Sequence, residues 1–344
     1  MISYTTDTHG DDTQPSNTPP ALPVQTDDQR WPDESEFPVG ADIRRQFEFI
    51  TRFGILAPSS YNRQPWRFEI RRDRVAVLAD RTRSMPVADP RDRHLIMSCG
   101  TALHHVRVAM THFGIRPVVQ TFPTLDEPDL TAVVRSAGFI EPSIADHQLF
   151  VAMRHRRTHR DEFLTRPVDE HVAAAIAAAA LSEGVSATLV SGRDQVRQIA
   201  DLVAEGERTL LADPTYVRDL AAWLPSSAWP PDAAAVAGWR DERAETLRGL
   251  TRSAPLLVIL ATTFDTAEAW LATGQAISHL LLRAREFGVF GSFVNQPVAV
   301  PSKRDEIISM SGAAAYPQII LRMGYGFEDP PTLRRAVSTV TTSV

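Results

Sequence analysis

The apolar positions alternate between two periods along the chain. Short runs rich in β-branched residues predict strands at 67–70, 75–79, 118–122, 130–134, 186–190, 256–262 and 318–323. Between them lie longer stretches with apolar residues at helical spacing. Helices are expected after Phe37-Pro-Val through about Leu56, and after Arg166-Pro-Val through about Leu181. This is an α+β pattern rather than a strict strand–helix alternation. No Gly-x-Gly-x-x-Gly follows any predicted strand and no P-loop pattern occurs, so neither nucleotide-binding signature is present.

Two helical stretches resemble each other. In 100–114 and 274–288 the glycines at the two ends stand 14 residues apart in both cases. Ala102 matches Ala276, His105 matches His279 and Phe113 matches Phe287. Gly114 and Gly288 stand where helices commonly stop. The Pro38 and Pro167 segments match with an offset of 129 residues, the later helices with one of 174. Two diverged halves are therefore expected, a first lobe over 38–150 and a second over 151–344. The second half would carry a net insertion of 45 residues, placed at about 205–250 and broken by Leu224-Pro-Ser-Ser-Ala-Trp-Pro-Pro. An insertion of this length reads as a lid or a dimer arm.

Charge changes the picture at one end. Of the total of −6, eight acids against Arg30 place −7 within residues 1–37, leaving the body near +1. Residues 1–37, poor in large aliphatics, are expected to form a disordered acidic tail, with Trp31 and Phe37 available to dock locally. A near-neutral body gives no reason to expect nucleic-acid binding. Cys99 is the sole cysteine, so no intrachain disulfide or cysteine-based metal site can form, and no metal site is expected. Neither a secretory signal nor an apolar run of the ~18 residues needed to span a membrane is found, so a cytoplasmic protein is expected.

Three segments carry candidate chemistry. Leu56-Ala-Pro-Ser-Ser-Tyr-Asn-Arg-Gln-Pro-Trp-Arg-Phe68 joins a helix end to a strand through small polar groups. Pro58, Ser59, Ser60 and Asn62 suit a polar ligand edge, and serve equally well as turn formers. In Met153–Phe163, Arg156, Thr158 and Arg160 alternate along an extended chain and so share one side, which suits an anion or a solvated loop. Arg334 and Arg335 follow a glycine-rich turn near the C-terminus.

Taken together, these segments resemble the FMN-dependent nitroreductases. Residues 56–68 are similar to that family's Ala-Pro-Ser-x-x-Asn-x-Gln-Pro-Trp-x-Phe motif, and 156–160 to its opening Arg-x-Ser-x-Arg motif with threonine for serine. Arg334-Arg335 resembles its C-terminal phosphate-binding cluster. The first half keeps the Pro-Ser-x-x-Asn loop and the second keeps the arginine motif, with only Ser-Glu-Gly-Val-Ser where the loop would be. This matches the two-lobed, Acg-like branch: a nitroreductase-like fold in which fused lobes form a pseudo-dimer with one complete site.

The resemblance implies one FMN. Arg156, Arg334 and Arg335 would meet its phosphate and Arg160 the pyrimidine edge of the ring, with Thr158 between. Pro58, Ser59, Ser60 and Asn62 would hold the ribityl chain and ring edge, and Val294, Asn295 and Gln296 would lie against the ring. The implied activity is ping-pong reduction of a nitroaromatic, quinone or similar small-molecule acceptor, with NAD(P)H as co-substrate. The alternative is a flavin-sequestering protein whose lid, with Trp223, Trp229 and Trp239, covers the cofactor. A flavin-cleaving or dehalogenating enzyme on the same fold is a third reading. A monomer, or a homodimer through the insertion, is expected.

Overall fold

The computed structural model describes residues 31–224, 236–311 and 315–344. The first lobe begins with helix α1 (Ile43–Gly54), whose N-cap Asp42 accepts from Arg45 N. Strands β1 (Trp66–Arg71) and β2 (Arg74–Ala79) form a hairpin, and α2 (Arg93–His112), β3 (Ile115–Thr121) and β4 (Leu130–Phe139) follow. A Ser143/Asp146 capping box starts α3 (Ile144–His155), which carries the chain across to the second lobe.

That lobe contains α4 (Glu170–Ser182), β5 (Ser186–Val190), α5 (Arg193–Leu211), α6 (Pro214–Ala221), α7 (Val236–Arg252) and β6 (Leu256–Thr262). Then come α8 (Ala267–Glu286), β7 (Val289–Phe293), α9 (Gln296–Ala299), α10 (Pro301–Ser311) and β8 (Tyr316–Tyr325). The chain ends with α11 (Val337–Val340) and β9 (Thr341–Ser343).

The sheets run β3-β4-β2-β1-β9 and β5-β6-β8-β7. Replacing β1, β2, β3 and β4 by β5, β6, β7 and β8 converts the first order into the second, read from the other edge. The two halves therefore share one topology, as the internal match predicts. The insertion occupies the β5–β6 connection, where the first lobe has a tight β1–β2 turn. It is longer than the expected 205–250. Its α5 runs unbroken from Arg193, and the net count is kept because the second half is shorter on either side of its β5–β6 pair. Strand β6 is buried at every position, as befits a central strand covered on both faces.

Two further boundaries differ from expectation. The acidic tail does not reach Phe37: Trp31 packs edge-on against Phe53 and Phe150, and Phe37 stacks on Phe113 at 4.2 Å. Those aromatic faces outweigh the cost of ordering the segment that carries them. The rest of the expected tail, 1–30, lies outside the described residues. Nor does the line at 150/151 separate the sheets, because β9 pairs in parallel with β1, Phe68 opposite Thr341. The C-terminus of the second half thus completes the sheet of the first.

The lobes join through α2 and α8, the most extensive helix pairing in the protein. A single apolar core runs through α1, α2, α3, α4 and α8 and the inner faces of both sheets. Both long helices begin seven residues before the matched glycines Gly100 and Gly274, which therefore sit inside them. Gly114 and Gly288, at φ +77 and +73, provide the expected left-handed stops. Among the described residues, no helix is long and apolar enough to cross a membrane.

Candidate functional site

A cavity of about 960 Å³ lies between the lobes. One wall is the loop after α1. Ser59 Oγ accepts from Gln64 N at 2.9 Å, and Thr101 Oγ donates to Pro58 O at 2.6 Å. Tyr61, Asn62 and Gln64 adopt φ of 52, 55 and 51, left-handed values that are uncommon for side chains other than glycine. Such strain gathers where a loop is held for a ligand. The holding is visible: Asn62 Nδ2 donates to Leu333 O at 3.0 Å, and Arg334 donates to Asn62 Oδ1 and to Leu56 O. Asn62 is thus engaged by the C-terminal segment, and it lines the cavity together with Pro58, Ser59 and Ser60.

The facing wall comes from the end of α3. There the chain turns extended at Arg156 and bridges β7 at Thr158–Gly291, His159 N donating to Gly291 O. The alternation expected from the sequence is present. Arg156, Thr158 and Arg160 line the cavity, whereas His159 pairs with Asp329 at 2.7 Å. Buried Arg322, at the base of this wall, donates to the carbonyls of His159, Arg160 and Asp161, fixing the segment's path.

Arg156 is 5% exposed, and its Nε and Nη1 are buried without a hydrogen-bond partner among the described residues. Its pKa is pushed down to about 9, first by burial and then by Arg334, Arg157 and Arg160. Arg334 is pushed down to about 10, by burial and then Arg157. Among the described residues, no carboxylate compensates Arg156. A buried cation surrounded by like charge is costly unless an anion arrives, so this corner is built to receive one.

The third wall is the end of β7 with Ser292, Phe293, Asn295 and Gln296. Asn295 Oδ1 accepts from Ile320 N, whereas Gln296 Oε1 is buried with no hydrogen-bond partner among the described residues. Two expected residues are not on the wall. Val294 is fully buried, and its N–H donates to Ile320 O, so it offers the cavity no donor. Arg335 turns away to Gln64 O at 2.9 Å and Asp80 at 3.2 Å, because its neighbour Arg334 takes the inward position on the extended segment.

The insertion closes the top. Tyr216, Trp223, Trp239 and Arg243 line the cavity, and Tyr216 and Tyr61 hydroxyls meet at 3.3 Å. Arg83 lies 4.9 Å over the Trp223 ring, and Asp219 accepts from Val87 and Ala88 N–H. Trp229, the third lid tryptophan expected, lies outside the described residues. Tyr61, Arg63, Arg83, Tyr216 and Arg322 were not singled out from the sequence as site residues. Tyr61 and Arg63 stood inside a recognised motif and Arg322 opens the C-terminal segment that ends in Arg334-Arg335; Tyr216 gave no local signal, since only the fold brings it to the cavity.

No family model matches the chain. It is 29% identical over 330 residues, 89% of its length and 92% of the other, to a Mycobacterium tuberculosis protein named "Putative NAD(P)H nitroreductase Rv3131". It is 28% identical over 309 residues, 83% and 91% of the two chains, to "Putative NAD(P)H nitroreductase acg" of the same species. Among solved structures it resembles the FMN-dependent nitroreductase NfnB from Mycobacterium smegmatis in complex with NADPH. That match has 17% identity and a TM-score of 0.40, and covers 57% of this chain and 93% of that one.

Proposed function

We propose that this chain, of the nitroreductase type and on its two-lobed, Acg-like branch, binds one FMN in the cavity. We further propose that it passes reducing equivalents from NAD(P)H to a small-molecule acceptor. The observation that carries this reading is Arg156: a buried guanidinium with two unpaired nitrogens calls for an anion, and a phosphate dianion fits. Arg156 and Arg334 would hold the phosphate. Arg160, on the same wall, would lie at the ring's pyrimidine edge with Thr158 between. Pro58, Ser59 and Ser60 would meet the ligand from the opposite lobe, and Asn295 and Gln296 would lie against the ring. Asn62, on the same wall as Pro58, Ser59 and Ser60, would meet the ligand as well as hold the C-terminal segment, whereas Val294 and Arg335 would act from behind, by holding the wall residues. When bound, the flavin supplies the two-electron chemistry, which the protein positions and tunes.

The volume, about 960 Å³, lies within the roughly 300–1,000 Å³ of ligand pockets. Gently purified protein should carry one FMN per chain, measured by absorbance after extraction. Two per chain, or none that can be restored by added FMN, would contradict the reading.

The lid favours a second reading, a flavin-sequestering protein with little turnover, because Tyr216 is tied to Tyr61 across the mouth. NADPH mixed with the yellow protein decides between them. Bleaching of the visible flavin band within seconds supports the reductase. Colour that only dithionite removes supports sequestration.

A further inference from the structure

Away from the cavity, α2, α8 and the residue after α4 bring His104, His279 and Glu183 together. His279 Nδ1 lies 3.3 Å and His104 Nε2 3.8 Å from Glu183 Oε1, and the three donor atoms are all within 4.8 Å of one another. We propose that His104 Nε2, His279 Nδ1 and Glu183 Oε1 form a site for one divalent zinc ion.

The spacing suits the ion. Tetrahedral zinc with bonds of about 2.0–2.2 Å sets its ligand atoms roughly 3.3–3.5 Å apart, so small rotations of these side chains complete three corners. Water or a small anion would take the fourth. The outer groups are those that orient metal ligands. His104 Nδ1 lies 2.9 Å from Ser278 Oγ, which turns Nε2 toward the centre. Arg107 donates to Glu183 Oε2 at 2.6 Å and to Gln275 Oε1 at 2.7 Å, leaving Oε1 for the ion. Arg107 adds positive charge nearby, but it is 30% exposed at the side chain and so partly screened by solvent.

The internal match gives the cluster a place. In the first half His105 Nδ1 lies 3.3 Å from Phe53 O at the end of α1. Its counterpart His279 lies 3.2 Å from Ser182 Oγ at the end of α4. Glu183 therefore stands where the second half lacks the Pro-Ser-x-x-Asn loop. A metal there would pin α4 to the α2–α8 pair.

The test is zinc uptake by the full chain after chelator treatment and desalting, measured in competition with a chromophoric chelator. One zinc per chain is expected, with a rise in Tm. Both should be lost in His279→Ala and in Glu183→Gln, with flavin content unchanged. The wild-type titration stands even if a variant fails to fold. No stoichiometric uptake by wild type, or uptake undiminished in the folded variants, overturns the site.

Discussion

Gly100 and Gly274, matched by sequence across the two halves, touch each other. A methyl group on Gly100 would lie 2.9 Å from Gly274 Cα and 2.2 Å from Leu271 O. One on Gly274 would lie 2.8 Å from Gly100 Cα and 1.9 Å from Met97 O. Met97 and Leu271 are themselves matched by the same offset. The contact is reciprocal, as an isologous interface requires, and the helices run parallel because successive positions meet in the same order.

Alanine at either glycine should force the helices apart. Overpacking typically costs about 1–3 kcal/mol, and here backbone blocks relief, so a loss near 3 kcal/mol is expected in urea unfolding. Gly249 in exposed α7 has nothing within 4 Å, and Gly249→Ala should instead gain about 1 kcal/mol. Equal effects at the three positions would contradict the interface.

At the N-terminus, removing residues 1–30 should leave Tm and flavin content unchanged, since that stretch has few large apolar groups. Trp31→Ala should cost about 3 kcal/mol through lost contact with Phe53 and Phe150. A large fall in Tm on removing 1–30 would show that the tail is docked.

Much of this was legible in the sequence. The seven predicted strands all occur, and the glycine pair marked the internal match, because periodicity and helix stops are local signals. Strand β7 was missed: its Gly291 and Ser292 weaken the strand pattern, while tertiary packing against α8 and β8 supplies it. Strand β9, Thr341-Thr-Ser, is polar and three residues long, and exists only because β1 offers an edge. At the site, the alternation of Arg156, Thr158 and Arg160 follows from extended backbone. Which of Arg334 and Arg335 faces inward does not, for it depends on Asp80 lying some 250 residues away.

Arg156→Met should have opposite effects on binding and stability. Flavin binding should fall by at least tenfold with loss of a charged hydrogen bond worth roughly 1.5–3 kcal/mol. The flavin-free protein should gain about 1 kcal/mol or more, because an uncompensated buried cation is removed. A flavin-free variant less stable than flavin-free wild type would show that Arg156 is structural.

Arg335→Ala should act through the fold. It loses Asp80 and the Gln64 carbonyl, charged hydrogen bonds worth roughly 1.5–3 kcal/mol in a half-buried setting. Stability should fall by about that amount, and flavin affinity by less than in Arg334→Ala. A larger loss of affinity in Arg335→Ala would return it to the ligand.

The last prediction separates the walls from each other. Arg160 and Asn62 belong to opposite lobes. Arg160→Ala should raise the FMN dissociation constant about ten- to a hundredfold, and Asn62→Ala tenfold or less, as neutral hydrogen bonds are worth roughly 0.5–1.5 kcal/mol. Because the two share no partner, the double variant should show the product of the single effects. Asn62 and Arg334 differ in this respect, for Arg334 donates to Asn62 Oδ1 at 3.3 Å. Removing Asn62 already loosens the C-terminal segment that carries Arg334, so the Asn62/Arg334 double variant should bind less weakly than the product predicts. A thermodynamic cycle with extracted and re-added FMN measures both. Strong coupling between Arg160 and Asn62, with none between Asn62 and Arg334, would reverse the assignment of which residues meet the ligand and which hold the wall.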